Sequence, residues 1–323
     1  MAILNANRVR YDADALDTIP SASNSVDKPI IRNEFSKNAG NYDAVAVVQR
    51  RIADRLIETV LEAQGDIDAN GTFQVLDAGA GTGYVGRTLS RQLTVIMQKS
   101  LVEQPKVETS PEVEKHNSTI IPFTANVTTK PSTALIAPKV TALDLSPEML
   151  AVAKTQGGYD AYIAGDIEAL PCEDKTFDLV VSSLAIQWCH DITQALKELH
   201  RVTKSGGRIS IATIIEGTLR ELESAFKTVD NEQHILAFLT EEKLKAEVTA
   251  LGGSLTICEE IVTFDSLKSL FKSLKHIGAT SLPNRRKGLL GRSSIAKLEQ
   301  YFASIGGYQL TYVVALIDIP KRR

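Results

Sequence analysis

The chain has 323 residues, of which 43% are apolar and 23% are charged, and its net charge of -3 is too small to predict bulk binding to nucleic acid. It has no apolar run of about 18 residues and no apolar signal segment near its start, so we expect a globular cytoplasmic protein with no membrane-spanning segment. Three cysteines and five histidines at irregular spacing predict neither a disulfide framework nor a metal site.

The beginning of the chain divides into two parts. Residues 1–30 are rich in Asp, Ser and Asn, which predicts a flexible N-terminal arm ahead of a single domain over residues 31–323. The stretch FSKNAGNYDAVAVVQRRIADRLIETVLEA then leads into a long amphipathic helix. The apolar residues that recur at helical spacing are Val45, Val48, Ile52, Leu56 and Val60.

A strand and a helix follow, but the second strand is delayed. FQVLDAG is typical of a strand and YVGRTLSRQL of a helix, whereas the next strand, KVTALDLS, begins only at Lys139. The intervening residues 98–138 contain five prolines and a Thr-rich second half, which disfavour a continuous helix or a central strand. We expect them to form a surface insertion.

Strands and helices alternate at short intervals after the insertion. PEMLAVAKT and ITQALKELHRVT are typical of helices, and AYIAGD, FDLVVSSLAIQW and GGRISIATI of strands. Such alternation predicts an α/β fold with a parallel, doubly wound sheet.

The loop behind the first strand, VLDAGAGTGYVG (75–86), predicts a ligand site at the carboxyl ends of the strands. Gly81, Gly83 and Gly86 match the G-x-G-x-x-G of dinucleotide sites. Asp77 with Gly79, Gly81 and Gly83 matches an S-adenosylmethionine loop equally well. Glycines allow close backbone approach to either ligand, so the loop alone does not distinguish the two cofactors.

Three acidic residues that end successive strands favour S-adenosylmethionine. Asp77 would repel a pyrophosphate but could meet the ammonium of a methionine moiety. Asp144 could accept from ribose hydroxyls in either cofactor, and Asp166, followed by Ile167, offers an acceptor for an adenine amino group. The alternative is that each aspartate is a helix N-cap or a turn former. The predicted cofactor site comprises Asp77, Gly79, Gly81, Gly83, Asp144, Leu145, Asp166, Ile167, Ser183 and Leu184.

Together VLDAGAGTG, ALDLSPEML, GDIEALPCEDKTFDLVVSS and the Gly206–Gly207 turn resemble the class I S-adenosylmethionine-dependent methyltransferases. The resemblance implies a Rossmann-like, mostly parallel, seven-stranded sheet, to which we add a helical lid over residues 264–300.

Further motifs, spread over residues 35–319, are similar to the malonyl-[acyl-carrier-protein] O-methyltransferases of biotin synthesis. These motifs are FSKNAGNYD, VTALDLSPEML, AGDIEALP, LAIQWC, ALKELHRV, LKHIGAT and LTYVVALI. This similarity implies an enzyme that moves a methyl group from S-adenosylmethionine to the free carboxylate of a malonyl thioester on acyl carrier protein. A carboxylate is ionised at neutral pH, so we expect no catalytic base.

Six residues in three parts of the chain are candidates for positioning the acceptor. The first pair precedes the long helix, in a segment that can close as a lid; the second follows the strand FDLVVSSL; the third lies in LKHIGAT, where a cation could pair with a carboxylate. They are Tyr42 and Lys37, Gln187 and Trp188, and Lys275 and His276. The alternatives are a solvated helix entry, an ordinary core tryptophan and a solvated helix face.

A basic segment predicts a surface that binds an acidic carrier protein carrying malonyl-phosphopantetheine. The stretch from Phe264 to Lys297 contains eight Lys or Arg but only one acidic residue, Asp265. At helical spacing, three of the lysines share a helix face beside Leu267, Phe271 and Leu274. A solvated helix face or attraction of RNA is the alternative. The predicted surface comprises Lys268, Lys272, Lys275, Arg285, Arg286 and Lys287.

Two other functions remain open. A methyltransferase of another small acceptor, such as a quinone precursor, would share the first half of the sequence but should need neither LKHIGAT nor the basic segment. A non-catalytic module that binds S-adenosylmethionine or carrier protein is disfavoured by the three strand-end aspartates.

Overall fold

A single sheet organises the computed structural model, which describes residues 28–63, 72–102, 137–230, 232–276 and 291–323. Its strands are β1 (Gln74–Ala78), β2 (Lys139–Asp144), β3 (Ala161–Ala164), β4 (Phe177–Ser183), β5 (Thr203–Ile214), β6 (Ser254–Phe264) and β7 (Tyr308–Pro320). They lie in the order β3-β2-β1-β4-β5-β7-β6.

Helices cover both faces of this sheet. They are α1 (Lys28–Asn38), α2 (Tyr42–Val45), α3 (Val47–Ala63), α4 (Tyr84–Val102), α5 (Pro147–Gln156), α6 (Ile192–Val202), α7 (Arg220–Lys227), α8 (Glu241–Ala250), α9 (Leu267–His276) and α10 (Arg292–Ser304). Short 3-10 turns occupy Ala39–Asn41 and Ile186–Trp188. Among these helices none is long and apolar enough to cross a bilayer.

The strand directions place the ligand site. Strand β1 pairs in parallel with β2 on one side and with β4 on the other, so the order of the strands reverses between β1 and β4. In doubly wound sheets such a reversal opens a crevice at the carboxyl ends of the strands. Only β7 is antiparallel to its neighbours, β5 and β6. The predicted α/β fold with a mostly parallel seven-stranded sheet is confirmed.

The core lies on both sides of the sheet. Helices α3 and α4 bury apolar faces against one side, with Ile52, Leu56, Leu89 and Leu93 at 0% exposure.

The predicted helical periodicity is confirmed for the four residues of the stripe that lie in α3, all of which are buried: Val48, Ile52, Leu56 and Val60. The side chain of Val45 lies outside the described residues. Before α3 the chain forms α1, a 3-10 turn and α2 instead of one continuous helix, because Gly40 and the turn around it interrupt the helix.

Two expected boundaries differ from the structure. Helix α1 begins at Lys28, three residues inside the predicted arm of residues 1–30, whose first 27 residues lie outside the described part. Helix α4 continues to Val102, so residues 98–102 of the predicted insertion are helical, and the first proline comes only at Pro105. Residues 103–136 lie outside the described residues.

The predicted lid segment, residues 264–300, is described in part. Helices α9 and α10 lie within it, and residues 277–290 fall outside the described residues. In α9, Leu267, Leu270 and Leu274 are buried and Phe271 is half-buried, which confirms the predicted apolar stripe and adds Leu270 to it.

Candidate functional site

The glycine loop turns sharply at the end of β1. Gly79, Gly81 and Gly83 all have positive φ angles, of 80°, 55° and 86°. A β-carbon at Gly83 or Gly86 would lie 2.8 or 2.4 Å from the ring of Tyr159, so these two glycines make room for a protein side chain. At Gly81, by contrast, a β-carbon would meet open space. The expected reason for the glycines, close approach to a ligand, therefore does not apply to Gly83 and Gly86.

Asp77, in β1, holds this loop in place through hydrogen bonds. Its side chain is buried, and its Oδ2 accepts hydrogen bonds from Gly86 N at 2.8 Å and from Tyr159 Oη at 2.6 Å. Burial raises the pKa of Asp77 to about 6, although these two hydrogen bonds favour the charged form. A contact between Asp77 and a ligand ammonium stays a prediction.

Asp144 fixes the loop from the end of β2. Its Oδ2 accepts from Gly81 N at 2.8 Å and its Oδ1 from Ser146 N at 2.8 Å. Burial raises the pKa of Asp144, and the two backbone hydrogen bonds oppose that shift. Each carboxylate oxygen keeps a second lone pair that a hydroxyl could use.

Asp166, after β3, is held by helix α1. Its Oδ1 accepts from Glu168 N at 3.0 Å, and its Oδ2 accepts from Lys28 Nζ at 2.5 Å. Lys28 also pairs with Glu168. Burial lowers the pKa of Lys28, but the hydrogen bonds to the two carboxylates outweigh it and raise this pKa overall.

These groups surround a first cavity of about 110 Å³ at the carboxyl ends of β1 to β4. The predicted cofactor residues that line it are Gly79, Gly81, Asp144, Leu145, Asp166, Ile167, Ser183 and Leu184. Asp77 and Gly83 do not line it. Sequence reasoning missed the side chains that α1 contributes, which are Lys28, Ile31, Arg32 and Phe35.

A second cavity of about 30 Å³ adjoins the first one at the carboxyl ends of β4 and β5. It is lined by Phe35, Tyr42, Val48, Gln49, Ile52, Leu184, Gln187, Trp188, Ile214, Leu219, Phe238 and Tyr312. Four of these residues also line the first cavity: Phe35, Tyr42, Leu184 and Trp188. The ring of Phe35 lies edge-on to Trp188, with the centroids 5.7 Å apart, and 6.2 Å from Tyr42. Three aromatic side chains therefore lie where the two cavities adjoin.

The backbone beside these aromatic side chains has an unusual conformation. Leu184 has a φ of 53°, in the left-handed region that non-glycine residues seldom adopt. Its N–H donates to Ala212 O at 2.8 Å, and its carbonyl accepts from Gln187 Nε2 at 2.7 Å. Gln187 Oε1 in turn accepts from Thr213 Oγ1 at 3.1 Å. The amide of Gln187 is thus engaged at both ends within the protein.

The structure brings three of the six acceptor candidates together. Tyr42, Gln187 and Trp188 line the second cavity, and burial, with the nearby Asp144 and Asp43 charges, raises the pKa of Tyr42, so its hydroxyl stays protonated. Lys37 is 71% exposed, lies 3.4 Å from Glu34 and lines neither cavity.

The other two candidates and part of the basic segment are not described. Lys275 and His276 belong to α9 by their backbone, but their side chains lie outside the described residues. Lys268 and Lys272 are exposed on α9. Arg285, Arg286 and Lys287 fall outside the described residues.

Away from both cavities, Asp230, Glu232 and His234 bring potential metal-ligating atoms within 4.8 Å of one another. His234 Nε2 lies 2.6 Å from Asp230 Oδ1, and its ring stacks on Phe226. These contacts within the protein account for the grouping, and we assign it no metal.

Comparison with known proteins adds two kinds of similarity. A family profile described as a methyltransferase domain matches residues 125–211, which follow the glycine loop. A protein named malonyl-[acyl-carrier protein] O-methyltransferase from Hamiltonella defensa subsp. Acyrthosiphon pisum is 37% identical over 290 residues, covering 89% of this chain and 93% of that protein. The protein of the same name from Serratia marcescens is 33% identical, covering 91% and 96%. The crystal structure of the YcgJ protein from Bacillus subtilis superposes with a TM-score of 0.48 at 15% identity, covering 85% of this chain and 99% of that one.

Proposed function

The chain belongs to the family of malonyl-[acyl-carrier protein] O-methyltransferases, and on that premise we propose that it methylates the free carboxylate of a malonyl thioester on acyl carrier protein. S-adenosylmethionine is the methyl donor, and the reaction is an early, cytoplasmic step of biotin synthesis. The observation that carries the proposal is the pair of adjoining cavities, one lined by strand-end carboxylates and the other free of charged side chains among the described residues.

The first cavity fits the donor. Gly81 presents backbone with open space where a β-carbon would stand, and Asp144 and Asp166 offer carboxylate oxygens for hydroxyl and amino groups. Ile167 and Met149 supply apolar walls. When bound there, S-adenosylmethionine supplies a methyl group made electrophilic by a sulfonium. Lys28 pairs with Asp166. For Asp166 to accept a hydrogen bond from an adenine amino group, Lys28 must share this carboxylate or move away from it.

The second cavity suits an acceptor that is already a nucleophile. A carboxylate has a reference pKa near 4 and needs no base at neutral pH. No Asp, Glu, His, Lys or Arg lines this cavity among the described residues. What the site supplies is alignment and exclusion of water, and the apolar rings of Phe35 and Trp188, which line both cavities, exclude water from the place where donor and acceptor meet.

The same observation argues against a phenolic acceptor. A phenol has a pKa near 10 and needs a general base to attack at neutral pH. Within the part of the chain that the structure describes, no titratable base lines the second cavity, since Tyr42 and Tyr312 both have raised pKa values. A quinone precursor is therefore the poorer candidate.

The basic segment supports a protein carrier. Lys268 and Lys272 are exposed on α9, whereas Leu267, Leu270 and Leu274 of the same helix are buried in the core, so the two charges lie on its outer side. Exposed charges of this kind speed the encounter with an acidic partner more than they tighten the complex.

An acceptor screen with labelled S-adenosylmethionine tests the proposed function. We expect methyl transfer to malonyl-carrier protein, slower transfer to malonyl-coenzyme A and none to a catechol. Preferred transfer to the catechol would show that the chain is a methyltransferase of another class of acceptor.

A further inference from the structure

One fully buried polar atom at the second cavity has no hydrogen-bond partner among the described residues. Gln49, on α3, lines this cavity, and its Oε1 is buried without a hydrogen-bond partner among the described residues. Leaving a buried amide oxygen unpaired destabilises a folded protein, so such a group calls for a partner that the described residues do not supply. An amide can turn about its last bond and present its NH₂ group to the same space.

The neighbouring polar groups of this cavity divide into engaged and available ones. Gln187 is engaged, since its Nε2 donates to Leu184 O and its Oε1 accepts from Thr213. The hydroxyl of Tyr42 has no hydrogen-bond partner within the described residues, and this tyrosine lines both cavities. Gln49 and Tyr42, like Tyr312, therefore line the second cavity with neutral side-chain groups that no described residue engages.

Neutral donors suit the charge changes of the proposed reaction. Transfer of a methyl from a sulfonium to a carboxylate removes the positive charge of the donor and the negative charge of the acceptor. The oxygen therefore carries less charge in the transition state than in the bound acceptor. A Lys or Arg at this place would stabilise the bound carboxylate more than the transition state, which strengthens binding but slows the chemical step. Amide and hydroxyl groups orient the carboxylate with less of this penalty.

We propose that Gln49, together with Tyr42, binds and orients the carboxylate of the acceptor in the second cavity through neutral hydrogen bonds. This inference rests on the proposed function, because it assigns the recognition of that acceptor. The sequence motif LKHIGAT predicts a cation as the partner of the carboxylate. The proposal instead makes the amide of Gln49 that partner. The cavity, of about 30 Å³, is large enough for a small polar group such as a carboxylate.

Substitutions at Gln49 test the proposal through the separation of KM and kcat. Gln49→Leu should raise KM for malonyl-carrier protein about tenfold or more, since hydrogen bonds to a charged group are lost. Gln49→Glu, of the same shape, should raise it further by repulsion. Gln49→Lys should lower KM and also lower kcat. Gln92→Glu, at an exposed position on α4, is the matched control and should leave both unchanged.

Calorimetry with S-adenosylmethionine separates this role from a structural one. All Gln49 variants should bind the donor within about twofold of wild type, and if Gln49→Leu does not fold, Gln49→Glu and Gln49→Lys decide the question. Unchanged KM in the folded variants would overturn the inference while leaving the proposed function intact. A rise in KM for Lys275→Met without a rise in KM for Gln49→Leu would also overturn the inference, because a cation would then bind the carboxylate. Failure of the wild type to methylate any malonyl thioester would overturn both.

Discussion

The carboxylate of Asp144 holds the backbone N–H of Gly81 at 2.8 Å, which ties the end of β2 to the glycine loop after β1. Its other oxygen accepts from Ser146 N, so a single side chain fixes both the loop and the start of α5. Any ligand that lies along Gly81 and donates a hydrogen bond to Asp144 thus meets groups whose positions are set before it binds.

Replacing Asp144 should weaken donor binding. Asp144→Ala is expected to cost about 1.5 to 3 kcal/mol in the binding of S-adenosylmethionine, since hydrogen bonds to a charged group are lost. Asp144→Asn keeps one acceptor oxygen and should lose less. Calorimetry measures both, with NAD as the competing ligand; tighter binding of NAD than of S-adenosylmethionine would contradict the assignment of this cavity.

Asp77 should make the stability of the ligand-free protein depend on pH. Its pKa is about 6 in the folded protein and 3.8 in the reference state, so the folded state holds the proton more tightly. This contribution is complete below pH 4 and is lost as the pH rises through 6. Two pKa units correspond to about 3 kcal/mol at most. Denaturant unfolding of wild type and Asp77→Asn at several pH values measures it.

The expected result for Asp77→Asn is a flatter pH profile between pH 4 and 7 than that of wild type. If an ammonium of the donor contacts Asp77, binding of S-adenosylmethionine near pH 6 should also release a proton, which calorimetry in buffers of different ionisation enthalpy detects. Identical profiles for the two proteins would show that Asp77 does not titrate in this range.

The parts of the fold that the sequence predicts are those with local signals. The glycine loop, the strands that end in Asp144 and Asp166, and the amphipathic α3 each have a pattern that a short window shows. Strand β6 lacks such a signal, because the charged Glu260 is buried while the neighbouring apolar Ile261 is exposed. Its place in the sheet depends on pairing with β7, which joins residues as far apart in the chain as Ser254 and Asp318.

The candidate site is less predictable from the sequence because much of it depends on long-range contacts. Lys28 and Phe35 reach the first cavity from a helix far from it in sequence, which no local pattern shows. Gln49 lies between the core residues Val48 and Ile52, where a glutamine has no distinctive signature. Lys37 has the charge that an acceptor site could use, but the structure places it on the outer side of α1, where it is 71% exposed.

The segment between α4 and β2 should be dispensable for folding. Replacing residues 103–136 by a short Gly-Ser linker leaves the buried residues Leu93 and Met97 in place, so we expect cooperative unfolding and full activity. A control replacement that begins at residue 96 also removes Met97 and should cost about 2 to 5 kcal/mol. Loss of folding in the first variant would mean that residues 103–136 pack against the domain.

Charge reversal on α9 should slow the reaction with a protein carrier. Lys268→Glu with Lys272→Glu is expected to lower kcat/KM for malonyl-carrier protein several-fold and to affect malonyl-coenzyme A less, because exposed charges act over a Debye length of about 8 Å. The matched control reverses the exposed Lys243 and Lys245 on α8. Added salt should slow wild type and have little effect on the α9 variant.

Equal losses for both substrates would show that α9 does not bind the carrier. The same conclusion would follow if the α8 control lost as much activity as the α9 variant, since the effect would then reflect net charge alone.

The proposed function depends above all on the methyl acceptor being a free carboxylate on the carrier's acyl group. Malonyl- and acetyl-carrier protein differ by that carboxylate, and single-turnover assays with labelled S-adenosylmethionine, followed by mass spectrometry of the product, compare them. We expect malonyl-carrier protein to gain one methyl group as a base-labile ester and acetyl-carrier protein to gain none. Equal labelling of both carriers, or no labelling of the malonyl form, would contradict a carboxylate acceptor.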